Sequence, residues 1–308
     1  LTRLQETMAQ QGLHRPDSRV LSSAMLPLSP NAPQRVLLLI VGAVAGFFLS
    51  LVVVFIREAV DKKIWSAEQI EKITGVPMIG GLPFVRGGTI DREIRGGSGT
   101  QSSLHRAMES LITTLLMSRI GKQPHVLVIA SARPGEGKTT VAMALARLMS
   151  ERGRKTLLVD ADIRKAKLSK NLGYRKAGVL AAFSGEADIA ETIDHHEALG
   201  VDVLGGKPST THRGTVQEAS TIERFFSTLR SSYDVVVVDT SPLRAVADAL
   251  PICKAADTVL MLSSWKETRT EDLRAGMRML SKVDIDPAGY VMTKMPESEL
   301  AHSAYDGY

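Results

Sequence analysis

His125–Ala146 reads HVLVIASARPGEGKTTVAMALA, and this stretch decides the fold of the 308-residue chain. An apolar run typical of a buried strand meets a glycine-rich turn, and a stretch of good helix formers follows. Gly135 and Gly137 can adopt backbone angles that side chains forbid, so successive N–H groups can converge on phosphate oxygens. The positive end of the helix dipole favours the same anion. The segment predicts a phosphate-binding loop between a strand and a helix.

The loop assigns nucleotide binding to seven consecutive residues. Lys138 would reach the β- and γ-phosphates of a nucleoside triphosphate, and the Thr139 hydroxyl would ligate Mg²⁺. The general pattern has a glycine six residues before the lysine, where this chain has Ala132. Alanine is small enough for a tight turn, so we expect the loop to bind. The predicted nucleotide-binding residues are Pro134, Gly135, Glu136, Gly137, Lys138, Thr139 and Thr140.

Two further strand-like runs end in acidic residues. The run TLLVDADIR carries Asp160 and Asp162, and strand residues two apart share one face. The run DVVVVDTSP delivers Asp239 after four valines, and Thr240 follows it. Ligands of parallel sheets bind at the carboxyl ends of the strands, so these carboxylates are expected beside the phosphate loop. Asp239 is predicted to contact the water shell of the metal.

Strand-like apolar runs alternate with stretches of helical period along the rest of the chain. Continuous apolar strands separated by helices indicate an α/β fold, in which helices cover both faces of a mainly parallel sheet. The predicted strands are HVLVIA, KTLLVD, VDVLGG, DVVVVD, DTVLML and GYVMTK.

Val36–Ile56 is an uncharged run of 21 residues, long enough at about 1.5 Å per residue to cross a bilayer core. Its length and its distance from the first residue argue against a signal peptide, and its all-round apolar character argues against a core helix. The 15 residues before it contain Arg35 alone, whereas the 15 after it contain Arg57, Lys62 and Lys63. We therefore predict a transmembrane helix whose C-terminal side is cytoplasmic.

These patterns divide the chain into five predicted segments. Residues 1–35 would end a periplasmic region with a proline-rich stretch, and residues 36–56 would span the membrane. Residues 57–103 would form a juxtamembrane helix and a flexible linker, and residues 104–294 a cytoplasmic P-loop domain. Residues 295–308 would be a tyrosine-containing tail.

Charge and cysteine content argue against nucleic-acid binding, internal disulfides and a cysteine-ligated metal. The net charge is +5, but the cations are scattered and contain no run of five, so we expect no nucleic-acid binding and allow contact with acidic lipid headgroups. The single cysteine, Cys253, excludes an internal disulfide framework and argues against a cysteine-ligated metal.

The motifs PGEGKTT, LLVDADIR and VVVVDTSP, in this order, resemble Walker A, A′ and B of the bacterial tyrosine kinases (BY-kinases). Those kinases share their P-loop sheet with the deviant-Walker, partitioning-type ATPases. The resemblance extends over about residues 20–308 and is to polysaccharide co-polymerases that carry a fused kinase. It implies an ATP- and Mg²⁺-dependent protein-tyrosine autokinase of the bacterial inner membrane, with its kinase domain in the cytoplasm. The implied task is control of exopolysaccharide or capsule synthesis, chain length and export.

The resemblance also implies site residues and partners. Lys138, Asp160 and Asp162 would be catalytic, and Thr139, Asp160 and Asp239 would hold the metal. One of Asp160 and Asp162 would accept the tyrosine proton or orient the hydroxyl while the other helps to hold the metal, and the spacing does not say which. The phosphoacceptors would be Tyr305 and Tyr308 in the tail of a neighbouring copy. Further implied partners are the polysaccharide export and polymerase machinery and a cognate tyrosine phosphatase, and the family's first membrane helix and periplasmic domain would lie upstream of Leu1.

The chain departs from the family pattern in several stretches, two of which bear on function. Where BY-kinases carry E-x-x-R-x-x-R for ring assembly, this chain has Arg106, Glu109 and Ile112, and Thr293 stands where the family usually has asparagine. The altered helix leaves ring formation open. An alternative function is an ATP-binding or ATPase module that controls oligomerisation without transferring phosphate to protein. A partitioning-type ATPase is a further alternative, against which the transmembrane helix argues.

Overall fold

A computed structural model of the chain describes residues 34–60, 62–85, 102–118, 124–207, 219–245 and 248–300. The chain separates into two compact units, Leu1–Val60 and Asp61–Tyr308. The predicted acceptors Tyr305 and Tyr308, and the proline-rich stretch before residue 34, lie outside the described residues.

In the first unit, helix α1 extends over Arg35–Val60. Its stretch Arg35–Arg57 is long and apolar enough to cross a membrane. Large apolar side chains are exposed all round it, with Leu39 at 73% and Phe55 at 71%. The predicted helix over residues 36–56 is therefore present, and no described part of its own unit covers its apolar surface.

The second unit alternates strands and helices. Its strands are β1 Met78–Pro83, β2 Val126–Ser131, β3 Thr156–Ala161, β4 Asp194–His196, β5 Val201–Leu204, β6 Val235–Thr240, β7 Thr258–Ser264 and β8 Gly289–Met295. Its helices are α2 Ala67–Thr74, α3 Ser103–Ser118, α4 Lys138–Glu151, α5 Lys167–Leu172, α6 Val179–Ser184, α7 Ile189–Thr192, α8 Ala219–Arg230, α9 Ala249–Ala255 and α10 Thr270–Ser281.

The eight described strands form one sheet in the order β1-β8-β7-β2-β6-β3-β5-β4. Neighbouring strands are parallel except at the edge, where β4 pairs antiparallel with β5. This arrangement confirms the predicted, mainly parallel α/β sheet. The sheet also includes β1, which pairs with β8 and lies N-terminal to Leu104, where the sequence predicts that the domain begins.

Two apolar layers enclose the sheet. Every residue of the central strands β2, β3, β6 and β7 is buried. Leu127 joins the layer beneath α3 and α4, whereas the next residue, Val128, joins the opposite layer beneath α2, α8, α9 and α10. Strands covered on both faces read as continuous apolar runs.

The strands β2, β3, β6 and β7 are parallel, so the loops that follow them lie at the same edge of the sheet. The predicted motifs lie in these loops.

Candidate functional site

The phosphate loop joins β2 to α4. Gly135 and Gly137 have φ angles of 87° and 91°, in the left-handed region that favours glycine. Gly137 is the N-cap of α4 and provides no side-chain cap. The first amides of a helix lack intrahelical acceptors, so the uncapped end of α4 is suited to hold an anion.

Lys138, the first residue of α4, is buried at 7% exposure. Its ammonium group donates a hydrogen bond to Ser131 Oγ at 2.8 Å. Burial lowers the pKa of Lys138, and the nearby charges of Asp239 and Glu136 oppose this shift. The structure thus holds the Lys138 ammonium group at the carboxyl end of β2, beside the glycine loop that would bind the phosphates.

Asp239 lies directly beside the first turn of α4. Thr139 Oγ1 donates to Asp239 Oδ2 at 2.7 Å, whereas Asp239 Oδ1 is buried and has no hydrogen-bond partner among the described residues. Burial, and then the charge of Asp160, raise the pKa of Asp239 to about 7, against the Thr139 hydrogen bond and the Lys138 charge.

The pair of Thr139 and Asp239 fits Mg²⁺. Hydroxyl and carboxylate oxygens are the donors that Mg²⁺ prefers, and the unpartnered Oδ1 has capacity for a ligand or its water. In the described part of the chain no group of three His, Cys, Asp or Glu side chains could hold a metal. Mg²⁺ keeps several waters and is usually shared with substrate phosphates, so two protein oxygens are enough to bind it.

Asp160 and Asp162 have different surroundings. Asp160 is fully buried, and its Oδ2 accepts from Ser169 N at 2.9 Å and Ser169 Oγ at 2.6 Å. Its Oδ1 accepts from Asp162 N at 3.2 Å. Burial raises the pKa of Asp160, and the hydrogen bonds from Ser169 oppose this. Asp160 pairs in register with Asp239 on β6.

Asp162, just beyond the end of β3, is half-buried. Its Oδ1 accepts from Ser241 Oγ at 2.7 Å and from Lys165 N at 3.3 Å. Its Oδ2 has no hydrogen-bond partner among the described residues. The Ser241 contact bridges the loops after β3 and β6, so it fixes Asp162 at the edge of the sheet while one oxygen stays available.

Glu136 belongs to the predicted nucleotide-binding set, but its carboxylate turns into the protein. Only 3% of the residue is exposed. One oxygen accepts from Arg133 N at 2.8 Å, and the other accepts from the hydroxyl of Thr268, in the loop after β7. Burial raises the pKa of Glu136, opposed first by the Thr268 hydrogen bond. Its side chain therefore holds the loop through hydrogen bonds on the protein side. Its backbone N–H is the group that could face a phosphate.

Thr293 of β8 also supports the loop. Its hydroxyl contacts Glu136 O at 2.9 Å and Ser263 O at 3.2 Å. A Cβ placed on Gly137 would lie 3.4 Å from Thr293 Cγ2. Thr293 thus bonds to the loop backbone, a contact between residues 157 positions apart that spacing does not reveal.

Two arginines at the rim of the loop share one carboxylate that sequence reasoning missed. Arg133 Nη1 lies 3.4 Å from Asp272 Oδ2 of α10, and Arg244, in the loop after β6, also pairs with Asp272. Ala132 packs on the same helix, since a Cβ on Gly276 would lie 3.2 Å from its Cβ. The alanine that replaces the usual glycine is therefore matched by a glycine on α10.

The remaining predicted residues lie in different places. Pro134 is exposed on the loop, and Thr140 is half-buried in the first turn of α4. Thr240 donates to Ile129 O at 2.8 Å and is buried, so it supports the β2–β6 pairing. On α3, Ile112 is fully buried in the core.

The strand, glycine loop and helix, with carboxylates from two neighbouring strands, define a P-loop nucleotide-binding fold. The sequence profile described as AAA domain (AAA_31) matches residues 124–286, more than half of the chain. The chain belongs to this family.

Three similar proteins refine this comparison. The chain is 26% identical over 292 residues to the putative tyrosine-protein kinase EpsB of Ralstonia solanacearum, covering 90% of this chain and 38% of that protein. It is 25% identical over 340 residues to the succinoglycan biosynthesis transport protein ExoP of Rhizobium meliloti, covering 100% of this chain and 43% of that protein. The kinase domain of Escherichia coli tyrosine kinase ETK superposes with a TM-score of 0.69 at 20% identity, covering 76% of this chain and 96% of that domain.

These likenesses confirm the predicted resemblance to the BY-kinases and the P-loop fold. The chain spans less than half the length of EpsB and ExoP, at 38% and 43%.

Proposed function

We propose that the chain is a membrane-anchored, ATP- and Mg²⁺-dependent protein-tyrosine autokinase that regulates exopolysaccharide or capsule synthesis, chain length and export. The observation that carries the proposal is the pairing of the phosphate loop with Asp162, a carboxylate held at the same sheet edge with one oxygen available. The similarity to EpsB, ExoP and ETK supports the choice of tyrosine as acceptor and of polysaccharide export as the setting.

Phosphoryl transfer needs positioning and charge stabilisation more than covalent chemistry. The loop N–H groups and the Lys138 ammonium would hold the β- and γ-phosphates and stabilise the charge that spreads over the transferred group. Asp162 Oδ2 would accept the hydrogen bond, and then the proton, of the attacking tyrosine hydroxyl. The tyrosine oxygen would bond to the γ-phosphorus while the bond from that phosphorus to the β–γ bridging oxygen breaks, and ADP would leave. The Ser241 contact keeps this carboxylate in place during the step.

Thr139 and Asp239 would hold Mg²⁺, which supplies further neutralisation of phosphate charge when bound. Asp160 would contribute by fixing the turn that carries Asp162, because its oxygens accept from Asp162 N and Ser169 N. This role makes Asp160 a positioning residue and leaves the proton to Asp162.

The location that fits this function is the bacterial inner membrane, with the P-loop domain in the cytoplasm. The apolar surface of α1 would be buried in lipid, which removes it from water. ATP is available on the cytoplasmic side, and the excess of cations after the helix favours the same orientation. Partners of this protein would be other copies, the polysaccharide polymerase and export machinery, and a tyrosine phosphatase that resets the tail.

The test is to incubate the full-length chain in lipid nanodiscs with ATP and Mg²⁺ and to map phosphotyrosine by mass spectrometry. We expect phosphate on Tyr305 and Tyr308, and no incorporation in Lys138→Met. Release of ADP with both tyrosines unmodified at high protein concentration would reject the kinase and favour the ATPase module. Because Lys138→Met abolishes both activities, it tests the loop and not the choice between them.

A further inference from the structure

An open groove of about 540 Å³ lies between α2 and α10, and no residue of the phosphate loop lines it. Ile73 of α2 and Met277 of α10 contribute apolar surface to it. Arg274, Arg278 and Lys282 contribute three cations. The groove therefore combines apolar and cationic lining.

The three cations follow each other at intervals of four residues, so Arg274 and Arg278 lie one turn apart on α10, and Lys282 directly follows its last residue. All three are exposed, and none has an ion pair or a side-chain hydrogen bond within the described residues. Like charges at this spacing repel each other and weaken a helix. Arg278 and Lys282 lie at the C-terminal end of α10, where the helix dipole favours cations, but the three like charges still repel each other, and an anionic ligand would relieve this repulsion.

The groove belongs to the part of the domain that follows the apolar helix most closely in the chain. Thr270 N, at the start of α10, donates to Lys62 O at 2.9 Å, and Lys63 bridges to Arg269. Lys62 follows Arg57 by five residues, a contour of at most about 18 Å. The same segment carries Trp65, 56% exposed, and tryptophan is enriched where protein meets the membrane–water interface.

We propose that this groove binds the headgroups of anionic phospholipids in the membrane that holds α1. The two guanidinium groups suit bidentate contact with phosphate oxygens, and the Lys282 ammonium adds a point charge. Ile73 and Met277 would contact the glycerol and upper acyl region. The inference rests on the proposed membrane anchoring, and it adds a lipid site on the kinase domain itself.

The experiment uses the full chain in nanodiscs of phosphatidylcholine alone or of phosphatidylcholine with phosphatidylglycerol. Hydrogen–deuterium exchange of residues 270–282 is the readout. We expect exchange about tenfold slower in the anionic discs, with the difference lost at high salt. Arg274→Gln/Arg278→Gln/Lys282→Gln should lose the difference. The control Arg152→Gln/Arg175→Gln/Arg224→Gln, which changes net charge equally at exposed sites outside the groove, should keep it.

Several outcomes would overturn the lipid site. Equal exchange in both discs rejects it, and so does equal protection when inorganic phosphate is added to phosphatidylcholine discs, because the source is then a soluble anion. Loss of protection in the control triple variant also rejects it, since bulk charge would then be responsible. Thermal unfolding checks that the groove variant folds. If it does not fold, the salt dependence of exchange in the wild type tests the lipid site instead.

The lipid site and the kinase can fail separately. Phosphotyrosine is measured in the same discs, and Lys138→Met should lack it while retaining the slow exchange of residues 270–282. Protection without phosphotyrosine rejects the kinase and supports the lipid site. Phosphotyrosine without slower exchange rejects the lipid site and supports the kinase.

Discussion

Asp160 and Asp162 come from one short motif but have different environments. The first is enclosed, with both oxygens used by Ser169 and by the backbone of Asp162. The second is half-buried and shares one oxygen with Ser241. The spacing could not divide their roles, because it places both on one strand end and says nothing about Ser169 or Ser241. The contacts support the proposed division, in which Asp160 would position the turn and Asp162 would receive the acceptor hydroxyl.

This division predicts that two conservative substitutions affect different quantities, one the turnover rate and the other the stability. Asp162→Asn should lower kcat for tail phosphorylation by about 10²–10⁴-fold with little change in thermal stability, because a general base is lost at a half-buried position. Asp160→Asn should cost about 1–3 kcal/mol of stability, because its amide group would face donors from Ser169. Chemical denaturation and single-turnover kinetics measure the two effects. A stable Asp160→Asn variant with the larger kinetic loss would reverse the assignment.

At the scale of elements, the phosphate loop rests on segments that are distant in sequence. The loop after β7 reaches Glu136 through Thr268, α10 reaches Ala132 through Gly276, and β8 reaches the loop backbone through Thr293. The backbone of residues 62–64 pairs in turn with the loop after β7, where Ile64 N donates to Thr268 O at 2.9 Å. The conformation of the loop therefore depends on elements from both ends of the domain.

Thr268→Val tests this support. The valine keeps the shape but removes the hydroxyl, so Glu136 Oε1 loses its Thr268 donor and the amide of Ser264 loses its Thr268 acceptor. If about 1 kcal/mol of that cost falls on the ATP-binding conformation, the KM for ATP rises about fivefold while kcat at saturating ATP stays close to normal.

A matched substitution separates this effect from a general loss of stability. Thr228→Val removes an exposed hydroxyl on α8 that donates only to Arg224 O, and it should leave the KM for ATP unchanged. Equal KM values for ATP in Thr268→Val and the wild type would show that the Glu136 contact does not position the loop.

The sheet and the phosphate loop could be predicted because their signals are local. Buried strands read as apolar runs, and Gly135 and Gly137 mark the left-handed turn. The start of the domain was harder to predict, since β1 contains two glycines and joins the sheet only by pairing with β8, more than two hundred residues later. The Asp272 contacts with Arg133 and Arg244 were missed for the same reason. Residues this far apart in the chain produce no repeating pattern in the local sequence.

At the scale of the whole molecule, α3 carries Arg106, Glu109 and Ile112 where the resemblance to the BY-kinases predicts E-x-x-R-x-x-R. Ile112 is fully buried, so no side chain at this position could reach a neighbour without leaving the core. Arg106 and Glu109 are exposed, and Glu109 lies 3.7 Å from His105 of its own helix. The position of Ile112 is therefore closed to any contact with another copy of this chain.

The proposed kinase also requires that a tail reach a site. β8 ends at Met295, at the sheet edge that carries the site, and Tyr305 follows the last described residue, Leu300, by five positions. That contour of at most about 18 Å could approach the chain's own site, but a short connection must also present the hydroxyl in line with the γ-phosphate. A neighbour's tail has no such restriction, so we expect transfer between copies.

Mixing two complementary variants distinguishes the routes. Lys138→Met keeps the acceptors and lacks the phosphate-binding lysine, whereas Tyr305→Phe/Tyr308→Phe keeps the site and lacks the acceptors. Incubated together in the same nanodiscs with ATP and Mg²⁺, they should give phosphotyrosine on the Lys138→Met chain at a rate proportional to the amount of the other variant. Neither variant alone should give tail phosphotyrosine. A mixture without product, beside a wild type whose rate per molecule is independent of concentration, would place the reaction within one chain, since only transfer between copies needs an encounter.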